Sequence, residues 1–311
     1  MRLLRGGEVA GALLLDALFG EPPEAFHPTV WMGRAISAFE RRALASGSPC
    51  ARCLAGIVLA LSLPALVFFS VRKLVDLFPP GLRFAFEAAM ISTTLSMRGL
   101  AEAAGAVERE LRGGDLERAR LCASKMVGRD TADLPASEVA RAAVESVAEN
   151  TSDGVAAPMV YGLVFGAPGA MAYKAVNTLD SMVGYRTRPY AELGFASARL
   201  DDLLNLAPAR LTALVVAAVS GRPIRTFRVV LRYGPLTASP NAGYAEAAFA
   251  GALGTTLGGP NTYGGVAREG PLLGDGPPPG PEEIRRSVEL MRLCCASFAA
   301  VASLVEGARS G

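Results

Sequence analysis

Between Arg52 and Arg72 run nineteen residues, Cys53 to Val71, that carry no charge and are dense in Leu, Val, Ile and Phe. Wound as a helix, such a run rises about 28 Å, close to the roughly 30 Å of a bilayer's hydrocarbon core. A chain built around it is expected to sit in a membrane. Pro64, near its middle, is tolerated because neighbouring groups in a bundle take up the carbonyl that a proline frees. Composition agrees: of 311 residues 51% are hydrophobic and 19% charged, a charged share about a quarter below the soluble average. The net charge of +2 offers no field for a polyanion, and no RNA- or DNA-binding pattern appears, so nucleic acid is excluded as a partner.

Three further apolar stretches are candidate membrane segments: Phe84 to Met97 with Glu87, Leu203 to Val219 with Arg210, and Leu293 to Val305. A charge at mid-span costs about 2.5 to 3.5 kcal/mol, so these side chains should face protein, water or headgroups. At the N-terminus Arg2 and Arg5 precede an apolar run, as in a signal peptide. Asp16 interrupts that run and no small-residue cleavage site follows, so the segment is expected to be retained. The five cysteines form no disulfide framework, and the C-x-x-C at Cys50 and Cys53 lacks a second ligand pair.

Gly154 to Tyr173 is also uncharged, but it contains Gly166-Ala167-Pro168-Gly169, which is turn chemistry. Two short helices, 154 to 165 and 170 to 184, joined at that tip, fit better than one crossing, since twelve residues rise only about 18 Å. The polar stretch from Arg98 to Asp153 has the apolar spacing of water-facing helices, with Gly113-Gly114 as a stop, Asp115 as a cap and Ser137 as the next cap. The expected architecture is an all-α, polytopic integral membrane helical bundle. Residues 1–311 form a single membrane-embedded domain with a re-entrant helical hairpin and water-facing amphipathic helices across 98–153. A long loop region at 221–289 opens with Arg222, Arg225, Arg228 and Arg232 and ends in a mobile Pro/Gly-rich linker at 270–281. Charge bias leaves the orientation of that region open.

The chemistry-bearing residues cluster around the hairpin. Arg141, Glu145 and Glu149 share a helix face, and Asn150, Thr151, Ser152, Asp153 and Gly154 follow. Such a run of oxygen ligands suits Mg²⁺ shared with substrate phosphates. On the returning helix Tyr173, Asn177, Asp180 and Gly184 share a face beside Lys174; ionisable groups in an apolar helix are functional candidates. Arg186, Arg199, Asp201, Asp202 and Asn205 come next. Acids and bases converging in this way supply what phosphoryl transfer needs. Two glycine-containing loops, Ser239-Pro240-Asn241-Ala242-Gly243 and Gly258 to Gly265 with Asn261, look like binding loops whose N–H groups meet an anion. His27, in a polar turn with Glu21, is a candidate general base, although a histidine before a proline is more often structural.

These strings resemble the CbiB/CobD family of adenosylcobinamide-phosphate synthases, integral membrane enzymes of cobalamin biosynthesis. The resemblance is carried by LLLDALFGEPPEAFHPTVWMGR (13 to 34), KMVGRDTADL (125 to 134), the run 143 to 185, FASARLDDLLNLAPARLTAL (195 to 214), SPNAGYAEAAFAGALG (239 to 254) and GGPNTYGG (258 to 265). It implies an ATP-dependent amide ligase that joins adenosylcobyric acid to aminopropanol phosphate or a similar phosphorylated amino alcohol, with ATP and Mg²⁺ as cofactors. Glu149, Asp153, Asp180, Asp201 and Asp202 are then the expected Mg²⁺ and ATP ligands, with Arg129, Lys174, Arg186 and Arg199 on phosphates. Catalysis is expected of Asp153, Asp180, Lys174 and His27, and cofactor binding of Asn150, Asn177, Asn241 and Asn261 as well. The implied setting is the cell membrane, with the active site on the cytoplasmic side and self-association left open. A transporter, whose re-entrant hairpins also carry polar residues, and a non-catalytic membrane sensor are the rival readings.

Overall fold

The computed structural model describes residues 5–45, 48–185 and 187–310. In chain order the helices are α1 (Gly6–Phe19), α2 (Pro28–Leu44), α3 (Pro49–Leu77), α4 (Pro80–Ser92), α5 (Met97–Arg112), α6 (Leu116–Ala123) and α7 (Ala136–Asn150). A π-helical turn at Thr151–Ala156 leads to α8 (Ala157–Phe165), α9 (Ala167–Val183), α10 (Tyr190–Leu193), α11 (Phe195–Leu204), α12 (Leu206–Val219), α13 (Pro223–Tyr233) and α14 (Ala242–Leu253). Four short strands, β1 (Leu257–Gly258), β2 (Asn261–Tyr263), β3 (Val266–Arg268) and β4 (Leu272–Leu273), precede α15 (Pro281–Ser310). The all-α expectation is amended by these strands alone. Two compact units are distinguished within the chain: one of residues 1–95, 157–205 and 299–311, the other of 96–156 and 206–298.

In the first unit α3 is 29 residues long and continues through Pro64. Leu54, Leu61, Leu66 and Phe69 on it are each more than 60% exposed. In water each such side chain would forfeit about 1.5 to 3 kcal/mol of burial; facing acyl chains, none is lost. Its other face packs on α2 and α9 through Ile36, Leu59, Leu179 and Val183. By length and composition α3 and the segment Pro281–Ala308 are both able to cross a membrane; α11 and α12, bent by 42° at their break, are apolar enough together for a broken span or a re-entrant loop.

Phe84 to Met97 is not a span. Helix α4 stops at Ser92, where the hydroxyls of Thr93 and Thr94 fold back on the carbonyls of Met90 and Ile91. Its Glu87 is buried, pairs with Arg5 and accepts a hydrogen bond from the Ala167 N–H (3.2 Å), so it caps α9. Helices α8 and α9 form a hairpin, with Tyr161 and Tyr173 stacked at 5.1 Å. The break is Gly166 at φ 71°, ψ −161°, a region open essentially to glycine.

In the second unit α5 buries Met97, Ala101, Ala104 and Val107 on one face and shows acids and arginines on the other. Asp115 caps α6 as expected, accepting from Arg118 N–H at 3.0 Å. Helix α7 begins at Ala136, which puts Ser137 inside its first turn and leaves the cap position to Pro135.

Residues 221–289 are not a loop, since they hold α13, α14 and the strands. Strands β1 and β4 pair antiparallel, as do β2 and β3, the latter pair turning at Gly264-Gly265 with φ 57° and 79°, the two positive φ values of a tight hairpin. The 270–281 segment is held in place: the Thr255 and Thr256 hydroxyls donate to the carbonyls of Pro277 and Gly276, both at 2.6 Å.

Candidate functional site

Helix α7 builds the site. Its sequence puts small apolar residues on one face, buried against α5, α6 and α14, and the acids and Arg141 on the other. Arg141 donates to Glu138 (2.8 Å) and Glu145 (3.0 Å) on its own helix. It also donates to Gly258 O (2.6 Å), Pro260 O (3.0 Å) and Asn261 Oδ1 (3.0 Å) on the strand segment. Glu145 completes the clamp by accepting from the Gly258 N–H at 2.7 Å. The guanidinium is thus spent on holding the β1–β2 segment against α7, and its role is structural.

Arg129, in the loop after α6, differs. Its side chain is 5% exposed, donates to Asn261 Oδ1, and brings Nη2 to 2.7 Å from Glu145 Oε2 out of hydrogen-bond alignment. Its buried Nε has no hydrogen-bond partner among the described residues. A buried donor without an acceptor costs on the order of 1 to 3 kcal/mol, a cost an incoming anion removes. Arg129 lines a cavity of ≈ 220 Å³ together with Glu145, Glu149, Asn150, Glu246 and Tyr263.

Glu246 projects from α14, the small-residue helix that packs on α7. Burial, reinforced by the charges of Glu145 and Glu149, holds its carboxyl well above the ordinary glutamate range despite Arg129 and Arg141 nearby. Directly after α7 the chain widens into the π-helical turn that carries Asp153, a form of helix frequent at functional sites.

Of the expected site residues, Arg129, Glu149, Asn150 and Asn261 meet at this cavity. Asp153 and Asn241 belong to the same unit. Asn241 is buried and accepts from Arg210 (3.1 Å), whose guanidinium also stacks 4.2 Å over Tyr244; the charge inside α12 is thereby satisfied by protein, and Asn241 is a loop anchor. Both glycine-containing loops spend their N–H groups internally. Asp130 accepts from Gly264 (3.1 Å) and Gly265 (2.7 Å), and the Ser239 hydroxyl from Asn241 and Ala242. The anion those glycines meet is the chain's own.

In the first unit α9 and α11 bring a second polar cluster together. Asp201, buried, accepts from Asn205 at 2.9 Å; Asn205 accepts from the Tyr173 hydroxyl at 2.7 Å; Asn177 and Asp180 face the same carboxylate. Asp202 lies 3.7 Å from Arg199, and Lys174 is half-buried on the same α9. Arg186 lies outside the described residues.

His27 caps α2. Its Nδ1 accepts from the Thr29 N–H at 3.2 Å and its Nε2 lies 3.4 Å from Glu21, so both ring nitrogens have partners in the fold. A larger cavity of ≈ 600 Å³ in this unit is lined by Arg5, which pairs with Glu87, by Arg72, which pairs with Asp76, and by Arg83, 3.9 Å from Asp76 with its Nε without a hydrogen-bond partner among the described residues; it holds none of the expected site residues. Among the described residues no three His, Cys, Asp or Glu side chains stand close enough to hold an ion unaided.

The residue the sequence reading missed is Glu246. Its signal was there: it is the lone acid between Asp202 and Glu269, set in a run of alanines.

A mostly helical, membrane-associated protein with a buried arginine and carboxylate cavity is the class so defined. The family model described as CobD/Cbib protein matches residues 9–291, and the chain belongs to that family. It is 41% identical to the cobalamin biosynthesis protein CbiB of Salmonella typhimurium, over 96% of each chain. It is 45% identical to the cobalamin biosynthesis protein CobD of Geobacter metallireducens, over 87% of this chain and 86% of that one. To CobD of Synechocystis it is 41% identical, over 86% and 82%. No solved structure matches.

Proposed function

We propose that this protein is an ATP-dependent amide ligase of cobalamin biosynthesis, an adenosylcobinamide-phosphate synthase. It joins the free carboxylate of adenosylcobyric acid to (R)-1-aminopropan-2-ol phosphate or a related phosphorylated amino alcohol. The names of its relatives supply the pathway. Arg129, buried with an unused donor in a cavity of carboxylates, is the observation that carries the chemistry.

The substrate carboxylate oxygen attacks the γ-phosphorus of ATP and ADP leaves, giving an acyl phosphate. The amine nitrogen then attacks the acyl carbon, phosphate leaves, and the amine proton passes to water. Arg129 binds phosphate oxygens through its fork of donors, and Asn261 and Glu145 hold its plane. Lys174, Arg199 and Arg186 serve the second phosphorylated substrate. The carboxylates present fit Mg²⁺, which is usually held by one or two carboxylates plus phosphate oxygens; Glu149 and Asp153, on α7 and the π-helical turn, would supply one such pair, and Asp180, Asp201 and Asp202, on α9 and α11, form a separate set. When bound, the ion neutralises phosphate charge.

The α8–α9 hairpin is read as re-entrant, because its nine-residue first arm rises only about 13 Å. The protein is read as multi-pass in the cell membrane with its site on the cytoplasmic side, where ATP is. Restoration of cobalamin synthesis to cells lacking their own synthase tests the reading. Arg129→Lys, Asp153→Asn and Asp180→Asn, each accumulating in the membrane, are expected to fail; sustained synthesis with all three would refute it.

A further inference from the structure

The arginine-rich segment that opens the 221–289 region has no part in the ligase reading, and it folds as α13. Thr226, Val229 and Val230 are buried on one face. Ile224, Phe227 and Leu231, at helical spacings of three and four, form a second face that is 69%, 42% and 61% exposed. Arg225, Arg228 and Arg232 form a third, also exposed, with Arg232 3.8 Å from Asp275 at one end. At 100° per residue the apolar and arginine faces lie about 100° apart, side by side around the helix. From Leu203 to Ala245 the chain contains no acid.

Two observations say what covers this face. The first is charge: an unbroken basic stretch beside exposed Ile, Phe and Leu is the pattern of a helix lying in an anionic membrane surface. The second is continuity. Helix α12, whose Leu211 and Leu214 are exposed, ends at Val219, and α13 starts at Pro223. The corner between them is fixed by the Ser220 hydroxyl, which accepts from Arg222 N–H (3.2 Å) and lies 3.1 Å from the Thr226 hydroxyl. An apolar helix that ends where charge begins has reached the membrane surface, and α13 starts there.

We propose that α13 is an interfacial anchor. Ile224, Phe227 and Leu231 sit at the acyl boundary, and Arg225, Arg228 and Arg232 bind the phosphates of anionic lipids. The anchor braces the site's scaffold, because α13 packs closely on α14, where a Cβ at Gly251 would stand 2.9 Å from Thr226 Cα.

The chain's single tryptophan, Trp31, makes the test direct. In a Trp31→Phe background, Phe227→Trp and Leu231→Trp are reporters, and Leu121→Trp, on the exposed face of α6, is the reference. The full-length protein is placed in bilayers of phosphatidylcholine and phosphatidylglycerol in which one or the other lipid is brominated near the headgroup end of its chains. Blue-shifted emission from both reporters, with quenching of roughly twofold or more, is expected, while Leu121→Trp stays water-like. Brominated phosphatidylglycerol should quench more than brominated phosphatidylcholine, and Arg225→Gln/Arg228→Gln/Arg232→Gln should erase that preference. Reporters as water-like as the reference, the result for a face covered by a soluble partner or left bare, overturn the proposal. Equal quenching by the two lipids overturns the assignment of the arginines to anionic headgroups. Fluorescence needs no turnover, so this outcome is independent of the ligase reading.

Discussion

Two arginines twelve positions apart in sequence have opposite tasks, and substitution separates them. Arg141 satisfies five acceptors. Arg141→Ala is expected to lower stability by about 1 to 3 kcal/mol, since it takes one of two arginines from Glu145 and leaves the Gly258 and Pro260 carbonyls without their donor, as read from the midpoint of thermal unfolding in detergent. Arg129→Lys keeps the charge but loses the planar fork. It should leave the unfolding midpoint nearly unchanged while kcat/KM falls on the order of 10²-fold. Glu246 gives a pH signature. Its carboxyl titrates above the ordinary 4.5 in the folded protein, so the proton binds the folded chain more tightly than the unfolded one. That contribution to stability is complete below about 4.5 and is lost as pH climbs through the raised value. Relative to the parent, Glu246→Gln should therefore gain stability as pH rises from 5 towards 8, measured with chelator present; a difference that does not change with pH would contradict the assignment. Glu149 and Asn150 were legible in the sequence as a polar cluster beside an apolar hairpin, and Arg129 only through the family resemblance. Glu246 was not, because it stands 97 positions beyond Glu149 and only the packing of α14 on α7 joins them.

At the scale of elements, helices were readable where a single local rule decides. The uncharged run gave α3, turn chemistry gave the α8–α9 break, and Asp115 capped α6. The strand segment was missed because two- and three-residue strands carry too little alternation to register, and because Arg141, far off in sequence, holds β1 and β2 in place. The expected loops misled for the same reason: glycine N–H groups invite an anion, and sequence does not reveal that Asp130 already fills that place. The α8–α9 joint offers its own test. Gly166→Ala forces a side chain into a glycine-only conformation and should cost about 1 to 3 kcal/mol, read as a lower unfolding midpoint. An unchanged midpoint would mean that the break at 166 is not as described.

Across the whole molecule the low charge content has a physical consequence. With few ionisable groups, several of the buried ones are committed to the fold: Glu87 to Arg5 and the α9 cap, Arg210 to Asn241, Arg141 to the strands. The proposed ligand site rests on the spare donor of Arg129 together with the carboxylate-lined cavity around it. The exposed apolar face of α3 and the apolar length of Pro281–Ala308 suggest membrane association, in keeping with the nineteen-residue run. The most direct measurement mixes the purified, bilayer-reconstituted protein with adenosylcobyric acid, aminopropanol phosphate and Mg-ATP, and follows the amide product by mass alongside ADP. One ADP released per amide formed, with both lost in Arg129→Lys, is the predicted result. Absence of the amide from the parent protein, or amide formed without ATP, would contradict the account.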